Sequence, residues 1–418
     1  MRKIARVADI GARRAWLWHN RSAYQRKCAS DLPRLFVDVS AIIRHDAQTG
    51  IQRVVRAVWT ELAERSRDGF AVAPVYATNR RGYCIAPIDF LDDRSRHLDR
   101  EPVSMGPGDK FLGLDLSAHL LPKYRDQLRA WRRNGASLHV IVYDLLPLAR
   151  PEWFNNAAVG HFRKWFQLLA SDVDEAICIS DHVARDLRDR LGARLNPRIG
   201  RLYMGGDING SKPSSGLSPN VREVVERMAS RATILMVGTV EPRKGYDAAI
   251  EAFEYLWSAY GSSAPDLVIV GKSGWRTSEL QSRLLSHPKL GRHLHWLDRV
   301  SDEGLCLLYE AAQAVFIASR GEGFGLPLIE AACHRRHVLA RDLPVFREHR
   351  LANILFFDSD EPAALGGRLL ELLNISRERS VTTPIAVPTW TECVDRLLAH
   401  IGLISIESQP EASICTAI

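Results

Sequence analysis

A short β-rich run, a turn and a segment of helical periodicity recur along this 418-residue chain. That alternation leaves little choice of architecture: parallel strands joined by helical crossovers, an α/β fold. In the first half Leu35–Ser40, Phe70–Tyr76, Leu138–Tyr143 and Glu175–Ser180 read as strands, and Ile51, Val54, Val55, Val58 and Leu62 share one helix face between the first two. A Gly-, Pro- and Ser-rich stretch, 205–219, then reads as a linker between independently packed units. The rhythm restarts with Thr233–Gly238, Leu267–Gly271, His293–Leu297, Ala314–Ala318 and His337–Ala340. Two Rossmann-like domains follow from this, with a ligand expected in the cleft between them, beyond the carboxyl ends of the strands.

The partition is an N-terminal arm, 1–30; a first domain, 31–204; a linker and entry segment, 205–230; a second domain, 231–388; a C-terminal helix, 389–402; and a tail, 403–418. Trp390, Val394, Leu397 and Leu398 lie on one face of that helix.

Charge is distributed unevenly. Lys and Arg number 56 against 49 Asp and Glu, a formal +7. Arg2, Lys3, Arg6, Arg13, Arg14, Arg21, Arg26 and Lys27 against Asp9 alone place the whole excess in the arm, so the body is neutral and no nucleic-acid partner is expected. Trp16 and Trp18 among those arginines make the arm either an interfacial anchor for an anionic membrane surface, through residues 1–27, or a solvated or domain-packed basic segment. No apolar run reaches the roughly 18 residues of a membrane span, and Arg13-Arg14 interrupts the one stretch that could be a secretory signal. Seven scattered cysteines suit a reducing cytosol. His293 and His295, and His334 and His337, are the nearest approach to metal pairs, and no carboxylate or thiolate completes a site, so no metal is expected.

The segment richest in chemistry runs from Ala318 to Ala331, directly after a strand. Gly321, Gly323 and Gly325 allow backbone to approach a ligand, and Pro327 suits the first turn of a helix. The N–H groups from Phe324 through Leu326 are then free to hold a phosphate or sugar oxygen. Glu322 lies in the loop and Glu330 about two turns into the helix. A second element, Glu241-Pro-Arg-Lys-Gly245, puts Arg243 and Lys244 at the start of a helix, where cations are electrostatically misplaced unless an anion joins them.

Gly321-Glu-Gly-Phe-Gly-Leu-Pro-Leu-Ile-Glu330 and Glu241-Pro-Arg-Lys-Gly245 resemble the donor site of the retaining glycosyltransferase family 4, with its GT-B fold of two Rossmann-like domains facing a central cleft. Asp46–Arg56 and Ala340–Glu348 are similar to segments of the bacterial mannosyltransferases that build O-antigen and related surface polysaccharides. The resemblance implies that Glu322 contacts the transferred sugar, that Glu330 holds the nucleoside ribose, and that Lys244 and Arg243 neutralise the leaving diphosphate. It further implies that Gly323, Phe324, Gly325 and Leu326 line the donor, and that Gly271, Lys272 and Val300 meet the nucleobase. Thr239 stands where many relatives carry an arginine, which leaves Arg243 as the second cation. On the facing domain Gly50 approaches donor phosphate and acceptor, while Asp144 and Arg53 face the acceptor. The implied activity is a metal-independent transfer of hexose from a nucleotide sugar, GDP-mannose or a GDP-deoxyhexose, to a glycan or lipid-linked glycan, without a further cofactor. Its expected place is the cytoplasm, with the inner face of the plasma membrane as the site of any peripheral attachment. A GT-B epimerase or phosphorylase, and a non-catalytic subunit of a polysaccharide-assembly complex, remain the alternatives.

Overall fold

The computed structural model describes residues 32–46, 49–65, 69–92, 98, 101–192, 197–211, 213–378, 381 and 387–405. The basic arm with Trp16 and Trp18, and the tail beyond residue 405, lie outside the described residues.

The first sheet has seven strands: β1 (Arg34–Asp38), β2 (Ala71–Tyr76), β3 (Cys84–Ile85), β4 (Lys110–Gly113), β5 (Ser137–Val142), β6 (Glu175–Cys178) and β7 (Arg198–Arg201). They are ordered β3-β2-β1-β4-β5-β6-β7, parallel except for the β2–β3 pair. Its helices of eight residues or more are α1 (Gly50–Glu64), α2 (Arg125–Arg133), α3 (Asn156–Asp172) and α4 (Asp181–Leu191). The second sheet, β8 (Thr233–Val237), β9 (Asp266–Val270), β10 (Leu294–Leu297), β11 (Ala314–Ile317), β12 (His337–Arg341) and β13 (Ile354–Phe357), is wholly parallel in the order β10-β9-β8-β11-β12-β13. With it go α5 (Pro219–Met228), α6 (Tyr246–Tyr260), α7 (Ser278–Leu285), α8 (Asp302–Ala311), α9 (Leu326–Cys333), α10 (Pro362–Glu378) and α11 (Trp390–His400).

Each sheet is doubly wound, its strand order reversing beside its first strand, and such switch points place the following loops over the carboxyl edge. The strands are short and apolar because both faces are covered: every residue of β9 and β11 is buried. α1 starts at Thr49, whose hydroxyl accepts from the Gln52 N–H at 3.4 Å, and its apolar side, including Val54, Val55, Val58 and Leu62, is buried.

One expectation is corrected here. The two domains do not pack independently. Each has a core of its own, and a third apolar cluster runs from Leu35, Trp59 and Leu62 through Met204, Ile208 and Trp390 to Ile329, Leu235 and Val338. The glycines of the linker are there for close approach: a Cβ on Gly206 would stand 2.2 Å from Ile329 Cγ2, and one on Gly205 2.7 Å from the Trp390 ring. Residues 219–228 of the linker span are helix α5, which buries Val221, Val224 and Met228. α11 returns to the first domain and packs on α1, with Val394, Leu397 and Leu398 buried and Asp395 paired to Arg65.

Candidate active site

The loop after β11 and the turn after β8 meet at Glu322. Its Oε1 accepts from Lys244 Nζ at 2.5 Å and from the Ser319 hydroxyl at 2.7 Å, and its Oε2 accepts from Arg243 Nη1 at 2.9 Å. Arg243 also donates to the Gly321 carbonyl at 3.0 Å and pairs with Glu241 at 2.7 Å. The anion that two cations at a helix start require is thus supplied by the protein itself. Burial pushes the Glu322 carboxyl up, but Lys244 and Arg243 outweigh it and hold the group at about 2. Burial raises Glu241, with Arg243 and Lys244 offsetting only part of the effect.

The first domain closes over this centre. Asp144, at the end of β5, accepts from the Leu146 N–H at 3.1 Å, and burial raises its carboxyl despite the charge of Arg243 nearby. Gly323 packs so tightly beneath it that a Cβ would lie 1.8 Å from the Tyr143 carbonyl oxygen and 3.1 Å from Asp144 Cβ. At the cleft's rim Trp275 donates from Nε1 to the Trp153 carbonyl at 2.8 Å and stacks on Phe154 with ring centroids 5.9 Å apart.

α9 begins at Gly325, in the left-handed region at φ 96°, which turns the chain from loop into helix. Among the described residues no acceptor is bonded by the backbone N–H groups of Phe324, Gly325 or Leu326. They form the positive end of an eight-residue helix pointing at the cleft. The Phe324 ring is buried against His349, which is held to the Phe324 carbonyl at 2.8 Å. Gly50 opens α1 on the opposite wall, where a Cβ would stand 3.5 Å from Leu326 Cδ1.

Glu330, one further turn into α9, is buried, with Oε2 accepting from the Tyr309 hydroxyl at 2.9 Å and Oε1 bonded by Arg53 Nη1. Arg53 Nη2 donates to Asp302 at 3.1 Å. Arg53, expected to face the acceptor, has its guanidinium on two carboxylates of the second domain. The remaining expected donor contacts surround the end of β9: Thr239 and Val300 are half-buried, Lys272 is exposed, and the Gly271 carbonyl accepts from Trp296 Nε1 at 2.8 Å.

Sequence reasoning gave no role to Ser319, Glu241, Asp302 or Tyr309. Glu241 and Ser319 carried a signal, their places in the Glu241–Gly245 motif and in the Ala318–Ala331 segment; Asp302 and Tyr309 are brought in by α8, which has no pattern of its own. Of six buried side-chain polar atoms without a partner among the described residues, three line or adjoin this cleft: Gln52 Oε1, Arg53 Nε and Glu241 Oε2. Buried polar groups are normally satisfied, and these three atoms are available to a polar ligand in the cleft. No group of three or more His, Cys, Asp or Glu among the described residues is placed to hold a metal ion.

Two doubly wound domains closing on one cleft, with a glycine loop and a basic turn at the second domain's switch point, are the GT-B architecture. Residues 219–384 match the sequence model of the family Glycosyl transferases group 1. The match lies in the second domain and the helix that leads into it, and it covers less than half of the chain. It is 36% identical over 389 residues to the serotype-specific mannosyltransferase WbdA of Escherichia coli, the match covering 89% of this chain and 45% of that protein. The chain therefore spans about half the length of the curated relatives it matches most fully. Among solved structures, HepE of Anabaena, in complex with UDP and glucose, superposes with a TM-score of 0.61 at 15% identity, covering 89% of this chain and all of that one. The sucrose-phosphate synthase of Thermosynechococcus elongatus gives 0.58 at 17%, covering 88% and 98%. These two likenesses concern the fold.

Proposed function

We propose that this protein is a retaining, metal-independent glycosyltransferase that moves a hexose from a GDP-linked donor, GDP-mannose or a GDP-deoxyhexose, to a growing lipid-linked bacterial surface polysaccharide. The observation that carries the reading is Glu322 held between Lys244 and Arg243 at the switch point of a GT-B cleft. The names of the relatives, WbdA and the O-antigen chain mannosyltransferases of Escherichia coli and Salmonella typhimurium, support the sugar and the polymer.

The electrostatics limit what each residue does. A carboxyl held at about 2 stays ionised and is too weak a base to take a proton from a sugar hydroxyl. Glu322 therefore acts by holding the transferred sugar and by opposing the positive charge that grows on its ring. Lys244 and Arg243, placed by Glu322 before the donor arrives, meet the negative charge that grows on the leaving diphosphate, in a site where fixed charges are worth more than in water. The acceptor's proton then goes to the departing phosphate oxygen, on the same face of the sugar from which the diphosphate leaves, so configuration is retained. Glu330 holds the ribose, and the free N–H groups of Phe324, Gly325 and Leu326 hold donor oxygens.

No helix among the described residues is long and apolar enough to cross a membrane. A lipid-linked acceptor places the enzyme on the cytoplasmic face of the membrane, with residues 1–27 as the segment that meets anionic lipid. Liposome sedimentation with and without those residues tests the attachment, and equal binding removes the arm from it.

Incubation with GDP-, UDP- and dTDP-sugars in the presence of EDTA, followed by NMR of the product's anomeric centre, tests the activity. Transfer from a GDP-hexose with retained configuration is expected. Folded protein that binds no nucleotide sugar overturns the reading.

A further inference from the structure

Arg53 joins the two domains by charge. It lies in the first turn of α1, in the first domain, yet both its partners, Glu330 in α9 and Asp302 in α8, belong to the second. The other oxygens of those carboxylates are already engaged: Glu330 Oε2 by Tyr309, and Asp302 Oδ2 by the N–H and the hydroxyl of Ser214, each at 2.9 Å. The Arg53 side chain is only 15% exposed, and its Nε is buried without a partner. A carboxylate oxygen that a ligand needs is thus covered by a guanidinium with one donor idle.

We propose that Arg53 is the exchangeable counter-ion of the nucleotide site: with the cleft empty it neutralises Glu330 and Asp302, and when a nucleoside diphosphate enters, the ribose hydroxyls take over Glu330 Oε1 while the guanidinium turns to the diphosphate. The inference rests on the reading of Glu330 as the ribose ligand given above. Its physical basis is that removing one partner of a buried ion pair strands the other as an uncompensated charge. Whatever displaces Arg53 must therefore bring hydroxyl donors for the carboxylate and also an anion for the guanidinium. A nucleoside diphosphate brings both, on one molecule. A nucleoside brings only the first. The planar guanidinium fork suits paired phosphate oxygens, and Arg53, with its Nε unbonded, can join Arg243 and Lys244 in meeting the diphosphate. Phosphate is then required for entry as well as for chemistry, and free nucleosides are rejected.

The test is calorimetric titration of the full chain and of Arg53→Ala and Arg53→Lys with guanosine, GDP, uridine and UDP. In Arg53→Ala the nucleoside is expected to bind at least about threefold more tightly, because Glu330 is uncovered, and the diphosphate at least about tenfold more weakly, roughly 1.4 kcal/mol. Arg53→Lys keeps the charge without the fork and should recover part of the diphosphate affinity. It also serves if the alanine variant fails to fold. A merely structural arginine would move both ligands in the same direction, so parallel changes, or none, overturn the proposal while leaving the functional reading in place. Failure of the unaltered protein to bind any of the four ligands overturns that reading, and this inference with it.

Discussion

Lys244 Nζ donates to Glu322 Oε1 at 2.5 Å, joining the turn that leaves β8 to the loop that leaves β11. The pair is almost closed to solvent, at 11% and 9% exposure of the two side chains. Each partner is therefore pre-positioned by the other, and a donor entering the cleft finds cation and carboxylate in place.

Glu322→Gln and Lys244→Ala should each lower turnover by roughly 10²–10³-fold, the scale on which loss of one transition-state electrostatic partner is felt. Glutamine keeps the shape and loses the charge, so the effect should fall on kcat more than on KM. Steady-state kinetics with a nucleotide sugar and acceptor checks this. Turnover within about threefold of normal in either variant removes that residue from the chemistry.

Gly323 sets how far the domains close. A methyl group there would meet backbone, the Tyr143 carbonyl at 1.8 Å, and backbone cannot swing aside as a long side chain can. Gly323→Ala should hold the cleft apart by about an ångström and cost on the order of 10²-fold in kcat, since displacement on that scale is enough to spoil reaction geometry. Affinity for the nucleotide, held chiefly by the second domain, should change little. Measuring kcat beside the dissociation constant separates the two, and an equal loss in both contradicts the closure argument.

The rhythm of strand and helix made the two-domain plan legible, and nine strands lie where the sequence places them. β3, β4, β7 and β13 escaped. Each is two to four residues long, and β4, Lys-Phe-Leu-Gly, sits near the centre of its sheet with a charged and a glycine end. Strands that short show no periodicity, and what makes β4 a strand is pairing with β1 and β5 on either side. The Glu322 motif was legible because loop glycines and a helix-starting proline are local signals. The ion pairs of Arg53 were not legible for the opposite reason: its partners lie 249 and 277 residues away, and an arginine on a helix carries no mark of what faces it.

Trp390 tests the joint between the domains. Its ring is 2% exposed, its Nε1 donates to the Asp207 carbonyl at 2.9 Å, and the glycines at 205 and 210 leave room for it. Trp390→Ala should cost about 3–5 kcal/mol, as truncation of a buried tryptophan generally does. Because the cluster spans both domains, the loss should appear in the unfolding of both. Denaturant titration followed by proteolysis of each half provides the check, and a loss confined to one half would show that the shared core does not couple them.

Asp115 gives the clearest expected pH dependence. It follows β4, and its Oδ2 accepts from the Ala41 and Ile42 N–H groups at 2.8 and 2.7 Å, fixing the start of the loop that leads to Gly50. Burial, reinforced by the charge of Asp38, pushes its carboxyl up to about 7. Asp38 is itself raised by burial, with Ser117, Ser40 and Tyr83 bonded to it. A carboxyl that titrates higher in the folded state than its unfolded value of about 4 binds a proton more tightly when folded, so stability falls as pH rises between those values, by at most about 4 kcal/mol. Glu322 and Glu175, both held at about 2 in the folded protein, act in the opposite sense, but only below the unfolded carboxylate range. Asp38, Asp144 and Glu241, also raised by burial, act in the same sense as Asp115, and His119, His295, His334 and His349, lowered by burial, act in the opposite one, so the share of Asp115 is read from the difference between the unaltered protein and a variant at that position. Asp115→Asn imitates the protonated acid and keeps a carbonyl for the two N–H groups. The variant should match the unaltered protein at pH 5 and exceed it at pH 8, and a midpoint difference that is the same at both values would show that Asp115 does not titrate in that range.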